Sequence, residues 1–172
     1  MNHNTMTLIG IQQIILDECL RALFYTRKYQ TLDKTDFNKT CNACFTKTLI
    51  IQWCQIFGSR KEQVHWSKLQ LPTGYPKFGQ EIILSSNGLS AAEWKSYHNK
   101  MTTIRNKFFA HFDLDQLRGN IPCFEPALSV LLAYRQYLID IIEHSNKQGQ
   151  MVNRNFFDND VLIEKIKEEL AW

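Results

Sequence analysis

Apolar residues recur every three or four positions along most of the chain, which is the pattern of amphipathic helices. Over residues 5–29 such a series predicts a long first helix with one side against a core. The series consists of Leu8, Ile11, Ile15, Cys19, Ala22 and Leu23. Ile14, Leu20 and Phe24 flank it and widen the apolar stripe.

A second helix is predicted to begin near Asp33 or Thr35, either of which could cap it, and to run to about residue 57. Gly58 follows the last periodic position, where glycine commonly ends a helix. The predicted buried stripe consists of Phe37, Cys41, Cys44, Phe45, Thr48, Leu49, Gln52 and Trp53.

The segment from residue 58 to residue 80 breaks the periodicity and contains three of the seven glycines and two of the four prolines. It predicts a short helical turn over 61–69, followed by an irregular loop. Loops of this kind lie on the surface and often carry function. The segment holds four chemically versatile side chains, to which no motif assigns a role: His65, Trp66, Tyr75 and Lys77.

The third long helix has a clear start. Ser90 followed by Glu93 is the signature of a capping box, and the helix is expected to run to about residue 111. Its apolar stripe consists of Trp94, Tyr97, Met101, Ile104 and Phe108, and His111 takes the next position in that series.

A fourth, strongly apolar helix is predicted within residues 120–148, with Pro126 tolerated in its first turn, and it is expected to be the central packing partner. A short amphipathic helix is predicted over 157–172. The stretch EIILSS at 81–86 is the only candidate strand and is short.

The expected fold is therefore all-α: one domain spanning 1–172, built as an up-and-down bundle of four long helices plus short extra helices.

Composition narrows the class of protein only moderately. The 172 residues are 44% hydrophobic and 12% aromatic, with a formal net charge of +3, which is too weakly basic to indicate nucleic-acid binding by itself. Before Arg21 the chain carries neither Lys nor Arg, and Gln12, Gln13 and Asp17 interrupt the apolar run. A secretory signal needs a basic start and an unbroken apolar stretch, so a soluble cytoplasmic protein with no membrane partner is expected.

The five cysteines also favour a reducing compartment, because an odd number without an export signal argues against a disulfide framework. Cys41 and Cys44 have the spacing of half a zinc knuckle, but a structural zinc site needs a second pair. A zinc-dependent domain therefore remains the weakest alternative, and no metal or cofactor is expected.

The stretch IRNKFFAHFD at 104–113 places an arginine and a histidine near the end of the third long helix. Six helical residues advance about 9 Å and turn through about 600°, which leaves Arg105 and His111 about 120° apart. Both border the apolar seam. Each position also has a structural explanation, because an arginine beside an apolar stripe snorkels and a histidine in a last turn is stabilised by the helix dipole.

The segment RNKFFAH at 105–111 resembles the signature of the HEPN superfamily (higher eukaryotes and prokaryotes nucleotide-binding domains). In that signature an arginine, usually followed by Asn, Asp or His, precedes a histidine by four to six residues. Here Asn106 follows Arg105, and five residues intervene before His111. The family is a small helical bundle with the motif late in a helix, and the helical pattern over about 85–145 matches that setting. The segment is most similar to the abortive-infection and toxin-like members.

The resemblance implies a metal-independent endoribonuclease of toxin or antiphage-defence type that acts on RNA. Histidine can transfer protons near neutral pH, and arginine offers a planar fork to a phosphate. The 2′-hydroxyl of RNA would be the nucleophile, and a 2′,3′-cyclic phosphate the product. The expected site residues are His111 as general acid and base, Arg105 as the phosphate-stabilising group, and Asn106 as a positioning group.

The resemblance also implies a homodimer in which the 105–111 segments of two copies face each other across one cleft. Lys107, Arg118 and Lys77 are candidates to line that cleft, and an antitoxin protein is a candidate partner. Some members paired with nucleotidyltransferase antitoxins carry a tyrosine two residues after the histidine, where this chain has Asp113, which argues against that route of regulation.

Asp113 could instead orient His111 and raise its pKa, while Asp113 and Asp115 add negative charge near the expected cleft. This negative charge keeps a second interpretation open, in which the chain is a non-catalytic HEPN-like module that binds a partner protein or a nucleotide.

Overall fold

The computed structural model describes residues 3–72, 74–111 and 121–148 together with Glu164 and Glu168. All regular secondary structure in these residues is helical. The helices are α1 (His3–Thr31), α2 (Asp36–Phe57), α3 (Gln80–Asn87), α4 (Ala91–His111) and α5 (Glu125–Lys147), with a 3₁₀ turn at Trp66–Lys68. Within these ranges there is no β-strand. The prediction of an all-α bundle with four long helices is confirmed.

α1 and α2 form an antiparallel helical hairpin. Thr35 caps α2, since its hydroxyl accepts a hydrogen bond from the Asn38 N–H at 3.2 Å. α2 ends at Gly58, where a Cβ atom would lie 2.4 Å from the Cys54 carbonyl oxygen, so only glycine fits. The Tyr25 ring packs against the Phe45 ring near the hairpin turn, with their ring centroids 4.9 Å apart and their planes tilted by 31°.

The predicted stripe of α1 is correct from Ile15 onward, since Ile15, Cys19, Leu20, Ala22, Leu23 and Phe24 are all buried. The centre of the buried face is a regular series that consists of Thr5, Ile9, Gln12, Leu16, Cys19, Leu23 and Thr26. Steps of alternately four and three residues are typical of long helices that pack side by side. The expectation that Ile11 and Ile14 lie on the buried stripe is wrong, because they are 41% and 56% exposed, whereas Gln12 is fully buried. Four polar residues of α1 are thus buried beside its apolar ones: Thr5, Gln12, Gln13 and Thr26.

The predicted stripe of α2 is correct only in its second half. Phe37 is 71% exposed and Cys44 is also exposed, so both assignments to the core are wrong. The buried residues are Thr46, Leu49, Ile50, Trp53, Cys54, Ile56 and Phe57. The second half of α2 is covered because α4 packs there, with the Trp53 and Trp94 rings 6.0 Å apart.

α5 packs one long face against α1 and α3. Its first turn contains Pro126, and it buries ten residues along its length: Ala127, Val130, Leu131, Tyr134, Arg135, Tyr137, Leu138, Ile141, Ile142 and Ser145. It lies antiparallel to α1, since Arg27 pairs with Glu125 at one end and Gln12 contacts Tyr134 further along.

The candidate strand EIILSS lies within α3 and is helical. α3 buries Ile83 and ends at Gly88, whose φ of 68° is the left-handed conformation that glycine adopts without strain. The predicted helix over 157–172 lies outside the described residues, apart from Glu164 and Glu168, which are helical and exposed. Over the described ranges, every helix falls short of the combined length and apolar character that a membrane span requires.

Candidate functional site

α4 carries the RNKFFAH segment, and its start is held by the predicted capping box. The Ser90 N–H and hydroxyl both donate to the Glu93 carboxylate, at 2.9 and 2.7 Å, and the Glu93 N–H donates back to the Ser90 hydroxyl at 3.3 Å. These bonds lower the pKa of Glu93. The helix is continuous from Ala91 to His111. Arg105 and His111 therefore keep the helical separation expected of them.

The Arg105 guanidinium is held by two side chains. Its Nη1 donates to the Glu62 carboxylate at 2.6 Å, and its Nε donates to the Asn106 side-chain oxygen at 3.1 Å. The side chains of Arg105 and Glu62 are only 24% and 33% exposed. A guanidinium has five N–H donors, so these two contacts fix its orientation without using its full hydrogen-bonding capacity.

Glu62 is the residue of this site that sequence reasoning missed. It lies in the turns that follow α2 and is 43 residues away from Arg105. No spacing or motif distinguishes it from the other charged residues of the 58–68 segment. Cys54 lies near the ion pair, and burial raises the pKa of its thiol to about 12, with Arg105 opposing the increase and Glu62 adding to it. The group near the ion pair is therefore a neutral thiol.

Of the other predicted site residues, some lie within the described part of the chain and some lie outside it. Asn106 is exposed and contacts Arg105, and Lys107 is exposed. His111 is the last residue of α4, but its side chain lies outside the described part of the chain. Asp113, Asp115 and Arg118 also lie outside it. Lys77 lines a separate groove.

The described cysteines serve packing more than chemistry. Cys19 and Cys54 are buried and donate weakly to the carbonyl oxygens of Leu49 and Met101, at 3.6 and 3.8 Å. Burial raises the pKa of Cys19 as well. The half-knuckle pair Cys41 and Cys44 lies on the outer part of α2, half-buried and exposed respectively. In the ranges that the structure describes, no three side chains of the metal-ligating types come together.

A cleft of about 580 Å³ opens between the end of α2, the 60–66 segment, α3 and the start of α4. Its polar lining consists of Arg60, His65, Gln80, Lys95 and His98. The rest of the lining is Phe57, Gly58, Trp66, Ile83, Ala91, Ala92 and Trp94. The lining includes two permanent cations and no carboxylate, although the whole chain has 20 basic and 17 acidic residues.

The two histidines of this cleft have defined tautomers. His98 Nε2 lies 2.7 Å from the Phe57 carbonyl oxygen, which can only accept, so Nε2 carries a proton. His65 Nδ1 accepts from the Ser67 N–H at 3.2 Å, so Nδ1 carries none. Burial, together with the nearby charges of Arg60, His98 and Lys68, lowers the pKa of His65 to about 4. His65 is therefore a neutral capping residue at pH 7.

A buried hydrogen-bond chain holds the wall of this cleft against the core. The Tyr134 hydroxyl donates to the Gln12 side-chain oxygen at 2.8 Å. The Gln12 amide nitrogen donates to the Val64 carbonyl oxygen at 3.0 Å and lies 3.4 Å from that of His65. Buried polar groups that are satisfied in this way fix a loop firmly. This explains why Gln12 occupies a core position.

Trp66 separates the cleft from a second groove of about 510 Å³. Arg60 and Trp66 line both, and the second groove adds Tyr75, Lys77 and Tyr137 among its walls. The Trp66 ring is half-buried and meets the Phe78 ring edge to face at 5.7 Å. His65, Trp66, Tyr75 and Lys77, noted in the sequence without roles, thus line two neighbouring grooves.

Comparison with known proteins adds no family: no protein-family model matches the sequence, and neither a curated protein nor a solved structure matches it.

Proposed function

We propose that the chain is a metal-independent endoribonuclease of the HEPN type, acting in the cytoplasm as a toxin or in antiphage defence. The observation that supports this proposal is the state of Arg105. Its guanidinium is oriented by Glu62 and Asn106 on a capped, continuous helix, six residues before His111. A fixed, partly buried guanidinium is the kind of group that stabilises charge developing on a phosphate.

The reaction we propose uses the 2′-hydroxyl of RNA as the nucleophile. His111 accepts its proton, the 2′ oxygen attacks phosphorus, and the bond from phosphorus to the 5′ oxygen breaks. A protonated imidazole, supplied by a second copy of the chain, gives its proton to the leaving 5′ oxygen. The products are a 2′,3′-cyclic phosphate and a 5′-hydroxyl. Arg105 binds the non-bridging oxygens, and Asn106 keeps the guanidinium in place.

Because one chain offers one copy of the segment, we propose a homodimer with the two 105–111 segments facing each other, and an antitoxin protein as the partner that silences it. Isologous contacts of this kind bring identical segments together around a twofold axis. In such an arrangement Glu62 belongs to the active cleft, where it orients Arg105.

The test uses the purified full chain with transfer RNA, a structured RNA and a single-stranded RNA, all in excess EDTA. His111→Ala is expected to lower the cleavage rate at least ~100-fold, the lower range for loss of acid–base catalysis. Arg105→Ala is expected to lower it at least ~100-fold as well, because the charge on the phosphate loses its stabilising donor. Arg105→Lys keeps the charge but loses the planar fork, so it should restore little activity. Lys100→Ala, on the exposed side of α4, is the matched control and should cleave like the wild type.

The proposal fails if the wild type leaves all three RNAs intact, or if the His111 variant cleaves as fast as the wild type. Cleavage products that lack a cyclic phosphate would contradict the mechanism while leaving an RNA-cleaving activity to be explained.

One observation favours the alternative, a non-catalytic HEPN-like module that binds a partner protein or a nucleotide. The Glu62 carboxylate lies 2.6 Å from the guanidinium and competes with an incoming phosphate for it. This alternative predicts the same dimer in light scattering, no cleavage of any RNA, and weaker dimerisation when the 105–111 segment is mutated.

A further inference from the structure

We propose that the cleft lined by Arg60, Trp66, Lys95 and His98 binds a nucleotide unit, with an aromatic base against Trp66 and the phosphate against Arg60 and Lys95. The unit could be a free mononucleotide or part of a single-stranded RNA, since both present the same base and phosphate. This proposal does not depend on the ribonuclease activity proposed above, because it concerns different residues.

The charge of the cleft is suited to an anion. Arg60 and Lys95 line the cleft from two different elements, the segment after α2 and α4, and both are exposed to solvent. No carboxylate belongs to the lining, and the nearby Glu93 is engaged by Ser90 in the helix cap. A phosphate entering here would meet two positive charges and no carboxylate of the lining that competes for them. In this respect the cleft differs from Arg105, whose partner is Glu62.

The shape of the cleft suits a flat ring next to that charge. Its volume of about 580 Å³ falls within the range of roughly 300–1,000 Å³ that is usual for small-molecule sites. Trp66 lines both the cleft and the second groove, and its half-buried ring is held by the rings of His65 and Phe78, at centroid distances of 5.2 and 5.7 Å. Stacking of bases on aromatic side chains, beside cations that bind the backbone, is how proteins hold single-stranded nucleic acid.

Hydrogen bonds tie the walls of the cleft to the core and to each other. Gln12 ties the backbone of Val64 and His65 to Tyr134 in the core, and His98 ties the start of α4 to the carbonyl of Phe57. Pre-organised walls reduce the entropy lost on binding, which favours a built site over a chance depression.

The cleft and the Arg105 ion pair involve the same side of α4. His98 and Arg105 are seven residues apart, so they lie on nearly the same side of the helix and about 10.5 Å apart along its axis. The segment between α2 and the 3₁₀ turn contacts both places, with Arg60 lining the cleft and Glu62 pairing with Arg105.

The binding experiment uses the full chain and three probes: adenosine monophosphate, inorganic phosphate, and an eight-nucleotide RNA whose 2′ positions are methylated so that it cannot be cleaved by 2′-hydroxyl attack. Calorimetry on the wild type is compared with Arg60→Gln, Lys95→Gln and Trp66→Ala. Each substitution is expected to weaken binding of the nucleotide probes about tenfold. Trp66→Phe, which keeps a ring, should lose less than Trp66→Ala. Lys100→Gln is the control on the same helix and should bind normally.

The outcomes distinguish a free nucleotide from an RNA strand as the ligand. They also distinguish this proposal from the proposed ribonuclease activity. Binding of the mononucleotide identifies a nucleotide site, and binding of the octamer alone identifies an RNA-strand site; either supports the proposal. The proposal is overturned if no probe binds, or if inorganic phosphate binds as tightly as both nucleotide probes. It is also overturned if Arg60→Gln and Lys95→Gln bind the nucleotide probes as tightly as the wild type does. Arg105→Ala should leave mononucleotide binding within about twofold, so a failed cleavage assay and a failed binding assay can be told apart.

Discussion

The Arg105 guanidinium donates a 2.6 Å hydrogen bond to the Glu62 carboxylate, which joins the helix that carries the RNKFFAH segment to a turn 43 residues earlier in the chain. Both side chains are less than half exposed. The pair is therefore neither a solvent-exposed surface contact nor a fully buried one. It fixes the position of the 60–66 segment relative to α4, and with it the geometry of the neighbouring cleft.

We expect the Arg105–Glu62 pair to contribute a measurable coupling to stability. A double-mutant cycle with Glu62→Gln, Arg105→Gln and the double variant should give a coupling free energy of about 1 kcal/mol, the upper range for partly exposed pairs. Urea unfolding provides the measurement. The same cycle with Lys61→Gln in place of Glu62→Gln is the control and should be additive. Additive effects of Glu62→Gln and Arg105→Gln would show that the contact is energetically silent in solution.

Truncation of Trp53 should destabilise the fold far more than truncation of Phe37 on the same helix. Trp53 is fully buried, and its ring lies 5.5 Å from that of Phe57 and 6.0 Å from that of Trp94. Trp53→Ala leaves a cavity and should lower the free energy of unfolding by roughly 3–5 kcal/mol. Phe37→Ala, at a position 71% exposed, should change it by less than about 0.5 kcal/mol.

Denaturant unfolding of the two variants gives this comparison directly. Equal losses for Trp53→Ala and Phe37→Ala would mean that the first half of α2 is covered in solution, as the hydrophobic pattern alone suggested.

His65 should make the folded protein less stable as the solution is acidified. Its pKa is about 4 in the folded chain and 6.5 ordinarily, so the unfolded chain binds more protons between these values. The contribution of His65 to the free energy of unfolding is therefore fully present above pH 6.5. Roughly 3 kcal/mol of it is lost as the pH falls toward 4. His65→Asn keeps an N-capping side chain but does not titrate, so its stability should depend less on pH.

The comparison must be made as a difference between the two proteins, because Asp17 acts in the opposite direction. Burial raises the pKa of Asp17 to about 6, so its contribution is present below pH 3.8 and is lost as pH rises through 6. Asp17 is present in both proteins and cancels in the difference. Parallel stability curves for wild type and His65→Asn between pH 7.5 and 4.5 would contradict the assignment of a buried neutral His65.

Several features were predictable because they depend on neighbours within a few residues. Thr35 and Gly58 bound α2, and Ser90 with Glu93 begins α4, each through hydrogen bonds or backbone approaches inside one helical turn. The helical position of the RNKFFAH segment follows from the same local rules.

Other features could not be predicted because they depend on contacts between distant residues. Gln12 is buried only because Tyr134, 122 residues away, and the Val64 carbonyl satisfy its amide. The EIILSS segment is apolar enough for either a strand or a helix. In the structure it lies in the helix α3, and the covered side of that helix carries Ile83.

By itself, then, the sequence determined the helical class, the ends of the long helices and the placement of Arg105, Asn106 and His111 on one helix, since periodicity and caps act over short distances. Tertiary structure alone decided where each buried face departs from the predicted stripe, that Glu62 meets Arg105, and that Arg60, Trp66, Lys95 and His98 line one cleft. The physical reason is that burial and charge pairing depend on which helices pack together, and no local pattern encodes that choice.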